Sequence, residues 1–207
     1  MINKRGKYES ESSIVDDIIN VKGDLIVNGN VTAETLLVDG RLFVSEDINV
    51  KAININGKVE AKCIKTNDLK VRGCIVCDKL SAQILSINGQ VNCNFIESDS
   101  INLLLSNDNK INNIKGRVIS IDKQKTKDIS TFSKQLKKNI PFFRFIDIDG
   151  IYNKFTENLN KETNIKIGEI DGGEIKVNNS NVDLIIYDTL DLGSECFVMT
   201  YRKRERM

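Results

Sequence analysis

The chain has 207 residues, 40% of them hydrophobic, and its 30 basic side chains almost cancel its 29 acidic ones. That balance leaves no net field to favour nucleic acid or an anionic membrane, and a charge near zero permits self-association. Histidine is absent, which excludes every mechanism that needs an imidazole.

The opening "MINKRGKYESESSIVDD" is polar, carries charges at both ends and lacks the apolar stretch of a secretory signal. Residues 1–17 are therefore expected to form a flexible N-terminal segment. No run approaches the ~18 apolar residues of a membrane-spanning helix. Without an export signal, the five cysteines are expected to be reduced thiols in a cytoplasmic protein.

From residue 18 onward the chain repeats. Gly23, Gly40, Gly57, Gly73 and Gly89 follow one another at spacings of 17, 17, 16 and 16. Gly116, Gly150 and Gly172 are aligned as wider continuations of the same series. Two residues before each glycine stands a β-branched residue: Val21, Val38, Ile55, Val71, Ile87, Ile114, Ile148 and Ile170. A polar residue precedes each glycine directly, as a tight corner requires. Two residues after the glycine come Leu25, Leu42, Val59, Ile75 and Val91, and four after it Val27, Val44, Ala61, Cys77 and Cys93. The Gly116 repeat adds Val118 and Ser120 to these two columns. Alternation at period two marks strands with one buried face. A unit this short has no room for a helix, so the pattern predicts an all-β fold, a parallel β-helix of ~16–17-residue coils stacked about 4.8 Å apart. Its core ladder is Leu25, Leu42, Val59, Ile75 and Val91, with Val44, Ala61, Cys77 and Cys93 beside it.

Cys74 and Cys77 have the CxxC spacing of metal and redox sites. Residues three apart on a strand face opposite sides of the sheet, so the two thiols do not converge. Cys77 is expected to stack on Cys93 as a small buried hydrophobe, with Cys74 exposed.

After Cys93 the spacing loosens, although Ile101, Leu103 and Leu105 still alternate. Residues 122–141 are lysine-rich without strand pattern and are expected to form an irregular insertion. Residues 134–145 add Phe142, Phe143 and Phe145. The plainer reading lets these rings cover a flank of the coil, and the alternative is contact with the inner membrane or a partner. Strand pattern returns at Arg144–Gly150. There Asp147 and Asp149, with Asp171 in an equivalent corner, form the one acidic grouping that suggests Ca²⁺ binding or acid–base work. These acids share a column with Lys, Asn and Arg, which points to a turn role. A second run covers residues 165–198, and the basic tail 202–207 is expected to fray.

The ladder "VKGDLIVNGNVTAETLLVDGRLFV…ININGKVEAKCIKTNDLKVRG" resembles the bactofilins, polymer-forming cytoskeletal β-helix proteins of bacteria. The run "IGEIDGGEIKVNNSNVDLIIYDTLDLGSECFVMTY" is similar to the close of a Gram-positive bactofilin-like subfamily, at Ile170–Gly173, Leu192–Gly193 and Cys196–Val198. The resemblance covers residues 18–201, read as one β-helix domain. It implies a right-handed parallel β-helix with no nucleotide or other cofactor. It also implies end-to-end assembly into non-polar filaments, by itself or with a related bactofilin, and scaffolding at the inner face of the membrane.

Physics supports assembly separately, because an uncapped solenoid end exposes apolar cross-section and unpaired strand edges. Ile18, Val21 and Leu25 at one end, with Phe197 and Val198 at the other, are the expected contact residues. The chain lacks the six-residue period and histidine of hexapeptide acyltransferases. No catalytic or metal-binding residue is assigned and the protein is not expected to be an enzyme. The alternatives are a β-helix carbohydrate-active enzyme or a binding scaffold that does not polymerise.

Overall fold

A computed structural model describes residues 1–106, 108–123 and 165–204. They form eleven strands and no helix. The strands are β1 (Ile2–Arg5), β2 (Tyr8–Ser10), β3 (Ile14–Val27), β4 (Val31–Val44), β5 (Ile48–Glu60), β6 (Cys63–Lys65), β7 (Asp68–Leu105), β8 (Lys110–Lys123), β9 (Ile165–Val177), β10 (Ser180–Leu192) and β11 (Phe197–Lys203). Every pairing is parallel and follows chain order, so the predicted all-β solenoid is the observed fold, with about 9 coils about 17 residues apart.

The reason lies in the columns. Ile14 pairs with Val31, Val31 with Ile48, Ile48 with Ile64 and Ile64 with Leu80. Strand β7 is long enough to turn corners and stack on itself, so that Cys77 lies against Cys93 sixteen residues on. The column then continues from Ile96 through Ile114, Ile170 and Ile185 to Tyr201. From Ile14 to Ile185 these side chains are buried. The predicted ladder is equally buried at Leu25, Leu42, Val59, Ile75 and Val91, as are Val44, Cys77 and Cys93, while Ala61 is partly buried against the core. Burying such columns removes apolar surface from water at roughly 25 cal/mol per Å², and this is the main stabilising term.

The glycine corner column is real as far as Gly89. Gly23, Gly40, Gly57, Gly73 and Gly89 all have φ between 132° and 144°. A Cβ at Gly40, Gly57, Gly73 or Gly89 would strike the carbonyl oxygen of the glycine one coil earlier. Both the backbone angle and the stacking therefore demand glycine here.

Four expectations are corrected. First, residues 1–17 belong to the solenoid: β1 pairs with β3 through Ile2↔Ile19 and Lys4↔Val21, and β2 through Tyr8↔Leu25. Gly6, with φ 81°, starts the glycine column. Lys4 in the place of Val21 and Ser10 in the place of Val27 disguise the repeat of "INKRG" on "INVKG".

Second, Gly116 and Gly172 leave the corner column. Gly116 pairs with Ser98 and with Gly172, so all three share a different face of the coil. The offset between rungs changes from 16 to 18 across Ser106–Asn109, where Asn109 Oδ1 accepts a 2.6 Å hydrogen bond from Val91 N–H. This phase change takes Val118 and Ser120 out of the ladder, and Ile111 follows Cys93 instead. It also removes Asp171 from any shared corner with the glycine series.

Third, the tail stays ordered through Arg204: Ile186↔Arg202 and Tyr187↔Lys203 extend the sheet, and Arg204 N–H bonds Tyr187 O. Fourth, Cys74 is half-buried rather than exposed. Of the expected insertion, Asp122 and Lys123 belong to β8. The remainder, the 134–145 patch, the 144–150 strand and Asp147 with Asp149 lie outside the described residues. Across that gap Lys110 pairs with Lys166, so β8 and β9 are neighbouring rungs.

Candidate functional site

The two end rungs concentrate what the interior rungs bury. At the N-terminal end, Ile2 covers Ile19, Lys4 covers Val21 and Tyr8 covers Leu25. Ile2 and Tyr8 are themselves only partly buried against the core. The Lys4 ammonium sits 5.5 Å from the Tyr8 ring centroid, a cation–π contact that holds both over the end. Ile14, Val15 and Asp16 complete this edge, and among the described residues their strand pairing is to β4 on one side. The Met1 α-amino group lies 2.5 Å from Asp16, and this hydrogen bond holds the Asp16 carboxyl below its ordinary range.

At the C-terminal end, Leu190 lies on Ile175 and Leu192 on Val177, while Val198 lies on Val182 and Tyr201 on Ile185. Leu190 and Val198 are partly buried. Leu192 is 41% exposed and Tyr201 63% exposed, although their columns point inward everywhere else. The far edge of β11 carries Arg202 and Lys203. Arg204 folds back to bind Asp171 and, at 3.4 Å, Asp188, which raises its already high pKa. Lys176 reaches Asp191 at 3.3 Å on the neighbouring corner.

This geometry redistributes the expected contact residues. Val21 and Leu25 are fully buried one coil in from the end, because β1 and β2 cover them. Ile18 is 39% exposed, and its column mates Thr35 and Ala52 place it on the outer flank. Phe197 is 63% exposed but lines an outer cleft of about 480 Å³ with Asn109, Lys110, Asn112, Lys166 and Asp183. Val198 is in place on the end face. Reasoning from sequence missed Ile2, Tyr8, Leu190, Leu192 and Tyr201. A signal was present, since Gly6 stands seventeen residues before Gly23 with Ile2 in the place of Ile19.

Cys77 and Cys93 meet as expected, with sulfurs 3.4 Å apart. The Cys93 sulfur beside it, together with burial, pushes the Cys77 thiol far above its ordinary range. Burial also raises Cys74 and Cys63. Among the described residues no group of three His, Cys, Asp or Glu side chains is arranged to hold a metal, and no helix is long and apolar enough to cross a membrane. Comparison with protein-family models, curated proteins and solved structures returned no match.

Proposed function

We propose that the protein is a bactofilin-like cytoskeletal scaffold of the cytoplasm that assembles end to end into filaments without nucleotide. The observation that carries the reading is the ending of the inward columns. The columns that finish at Leu190, Leu192 and Tyr201 stay apolar through the interior rungs, the column that Tyr8 heads does so as far as Val91, and Ile2, Tyr8, Leu192 and Tyr201 are all open to solvent at least in part. A β-solenoid with such ends can extend by stacking a further rung, repeating a contact it already makes internally. Covering a few hundred Å² of this cross-section supplies roughly 25 cal/mol per Å², set against the cost of association. The strand edges add backbone hydrogen bonds of the kind already present between coils. No catalytic step belongs to this reading.

Negative-stain microscopy and pelleting of purified protein at tens of micromolar, without ATP or GTP, test it. Filaments are expected, and they are expected to persist in high salt because the contact is mainly apolar. Leu192→Arg or Tyr201→Lys should give soluble, folded protein that no longer pellets. Wild-type protein that stays monomeric overturns homopolymerisation and leaves a subunit that needs a second, related bactofilin, or a scaffold that does not polymerise.

A further inference from the structure

We infer that Cys77 and Cys93 are a redox staple: a peroxide oxidises the two thiols to a disulfide that ties neighbouring rungs of the solenoid together, and a dithiol opens it again. This chemistry is independent of whether the solenoid assembles end to end.

The column that holds the pair is otherwise aliphatic. Val27 and Val44 precede it, Ile111, Ile167 and Val182 follow, and all five are buried. Two thiols therefore interrupt a ladder that branched side chains fill elsewhere. They stand on consecutive rungs with their sulfurs 3.4 Å apart. Rungs of a parallel sheet lie about 4.8 Å apart, which puts the two Cα atoms inside the range of roughly 4.4–6.8 Å that disulfides span. An S–S bond of about 2.05 Å requires the sulfurs to close by roughly 1.4 Å. Cys77 also lines an outer cleft of about 380 Å³ with Ala61, Lys62, Asp78 and Asn94. A molecule as small as hydrogen peroxide reaches the pair from this side, although Cys77 is only 7% exposed and Cys93 2%. The other three cysteines lack this arrangement. Cys63 pairs in register with Lys79, Cys74 pairs with Lys58, and the Cys196 thiol donates to Val177 O on a later coil.

Cys77 donates its S–H to the Cys93 sulfur, and this hydrogen bond holds the Cys93 thiol below its ordinary range against the opposing effect of burial. Cys93 is thus the first of the two to ionise. Its thiolate attacks one oxygen of hydrogen peroxide and the O–O bond breaks. Cys93 becomes a sulfenic acid, and the hydroxide released takes up the proton that Cys93 gave up. The Cys77 sulfur then attacks the Cys93 sulfur. The S–OH bond breaks, and the hydroxyl leaves as water with the Cys77 proton. Two thiols are oxidised to one disulfide, and one peroxide is reduced to two waters. The resolving sulfur is already in contact, so the sulfenic acid is consumed before a second oxidation.

Full-length protein carrying Cys63→Ser, Cys74→Ser and Cys196→Ser keeps only this pair of its five cysteines. After hydrogen peroxide, the thiols that can be alkylated in urea should fall from two to none, and dithiothreitol should restore both. Trypsin cleaves after Lys79, so the link appears as two joined peptides, one holding Cys77 and the other Cys93. The melting temperature should rise by about 5 °C on oxidation and return on reduction, because the bridge restricts the unfolded chain. Adding Cys93→Ser should abolish the rise. Folded protein that yields no joined peptides, or a sulfinic acid at either residue in place of the link, overturns the staple. So does a link that forms only after urea has unfolded the chain. If circular dichroism shows the triple variant unfolded, wild-type protein decides by the same peptide map, read by fragmentation. A Cys77–Cys93 link supports the staple there, and its absence, or Cys77 joined to Cys63 or Cys74 instead, overturns it.

Discussion

The stretch from Ile14 to Leu105 and the stretch from Lys110 to Lys203 hold the same core by different means. In the first, successive rungs lie 17 or 16 residues apart, and each coil turns on a glycine with positive φ. In the second, rungs are set by Asn92↔Lys110, Lys110↔Lys166, Ser180↔Ile165 and Asn181↔Phe197, so the offset takes a new value at each step. The tight corners that lead into it and lie within it use Asp108, Asn179 and Glu195, with φ between 52° and 63°. Side-chain and backbone polar groups brace them. Asn179 Nδ2 donates to Asp122 Oδ1 at 2.9 Å, Ser180 Oγ to Asn178 O at 2.9 Å, and the Cys196 thiol to Val177 O at 3.1 Å. Yet Ile114, Ile119, Ile170, Ile175 and Ile185 are as buried as Val31, Leu36 or Ile53. The apolar column is the conserved quantity along the molecule, and the spacing of its members is free to change at the corners.

The largest effect should come from charging a column. Val59→Asp in the regular stretch and Ile170→Asp in the other both place a carboxylate among fully buried side chains. Each is expected to cost about 3–5 kcal/mol, or to unfold the protein at neutral pH. Equal losses in urea melts would show that the two stretches depend on the same core. A small loss at Ile170 would mean that the corner network, not the ladder, holds the second stretch.

An intermediate effect should separate the stretches at glycine. Gly57→Ala meets both a φ of 142° and the Gly40 carbonyl, and should cost roughly 2–4 kcal/mol. In Gly172→Ala the new Cβ approaches Ile119 Cδ1 at 2.7 Å and Ile175 Cγ1 at 2.8 Å, with no positive φ to strain. About 1 kcal/mol is expected there, since side chains can shift where a stacked backbone carbonyl cannot. Thermal melts that rank the two the other way would break the distinction between corner glycines and packing glycines.

The smallest effect is chemical and leaves the fold intact. Alkylation of native protein should modify Cys63, Cys74 and Cys196, all half-buried, well before Cys77 and Cys93, which lie inside the regular ladder. Burial holds the Cys74 thiol above its ordinary range, so its labelling should be slow at neutral pH and quicken as pH rises. Peptide mass mapping reads the order. Labelling of Cys77 at the rate of Cys74 would show that the thiol column opens more readily than its packing implies.

The sequence by itself determined the columns of the regular stretch. Period two, glycine corners and β-branched ladders are local signals, and Leu25, Leu42, Val59, Ile75 and Val91 could be placed from them because a strand leaves a side chain only two directions. It also separated Cys74 from Cys77. The same local character misled the alignment at Gly116 and Gly172, where an Ile-polar-Gly triplet recurs on a different face. Only stacking against Ser98 assigns that face, since phase is a relation between rungs and not a property of a triplet. The ends were decided by tertiary structure as well. Residues 1–17 read as flexible because Lys4, Lys7 and Glu9 dilute the pattern, but an edge rung has one apolar neighbour instead of two and tolerates polar substitutes. That is why Val21 and Leu25 lie buried one coil in, and why the open surface belongs to Ile2, Tyr8, Leu192 and Tyr201. Which residues terminate a solenoid depends on how many rungs close over one another, and that number is set by the packed columns rather than by any single repeat.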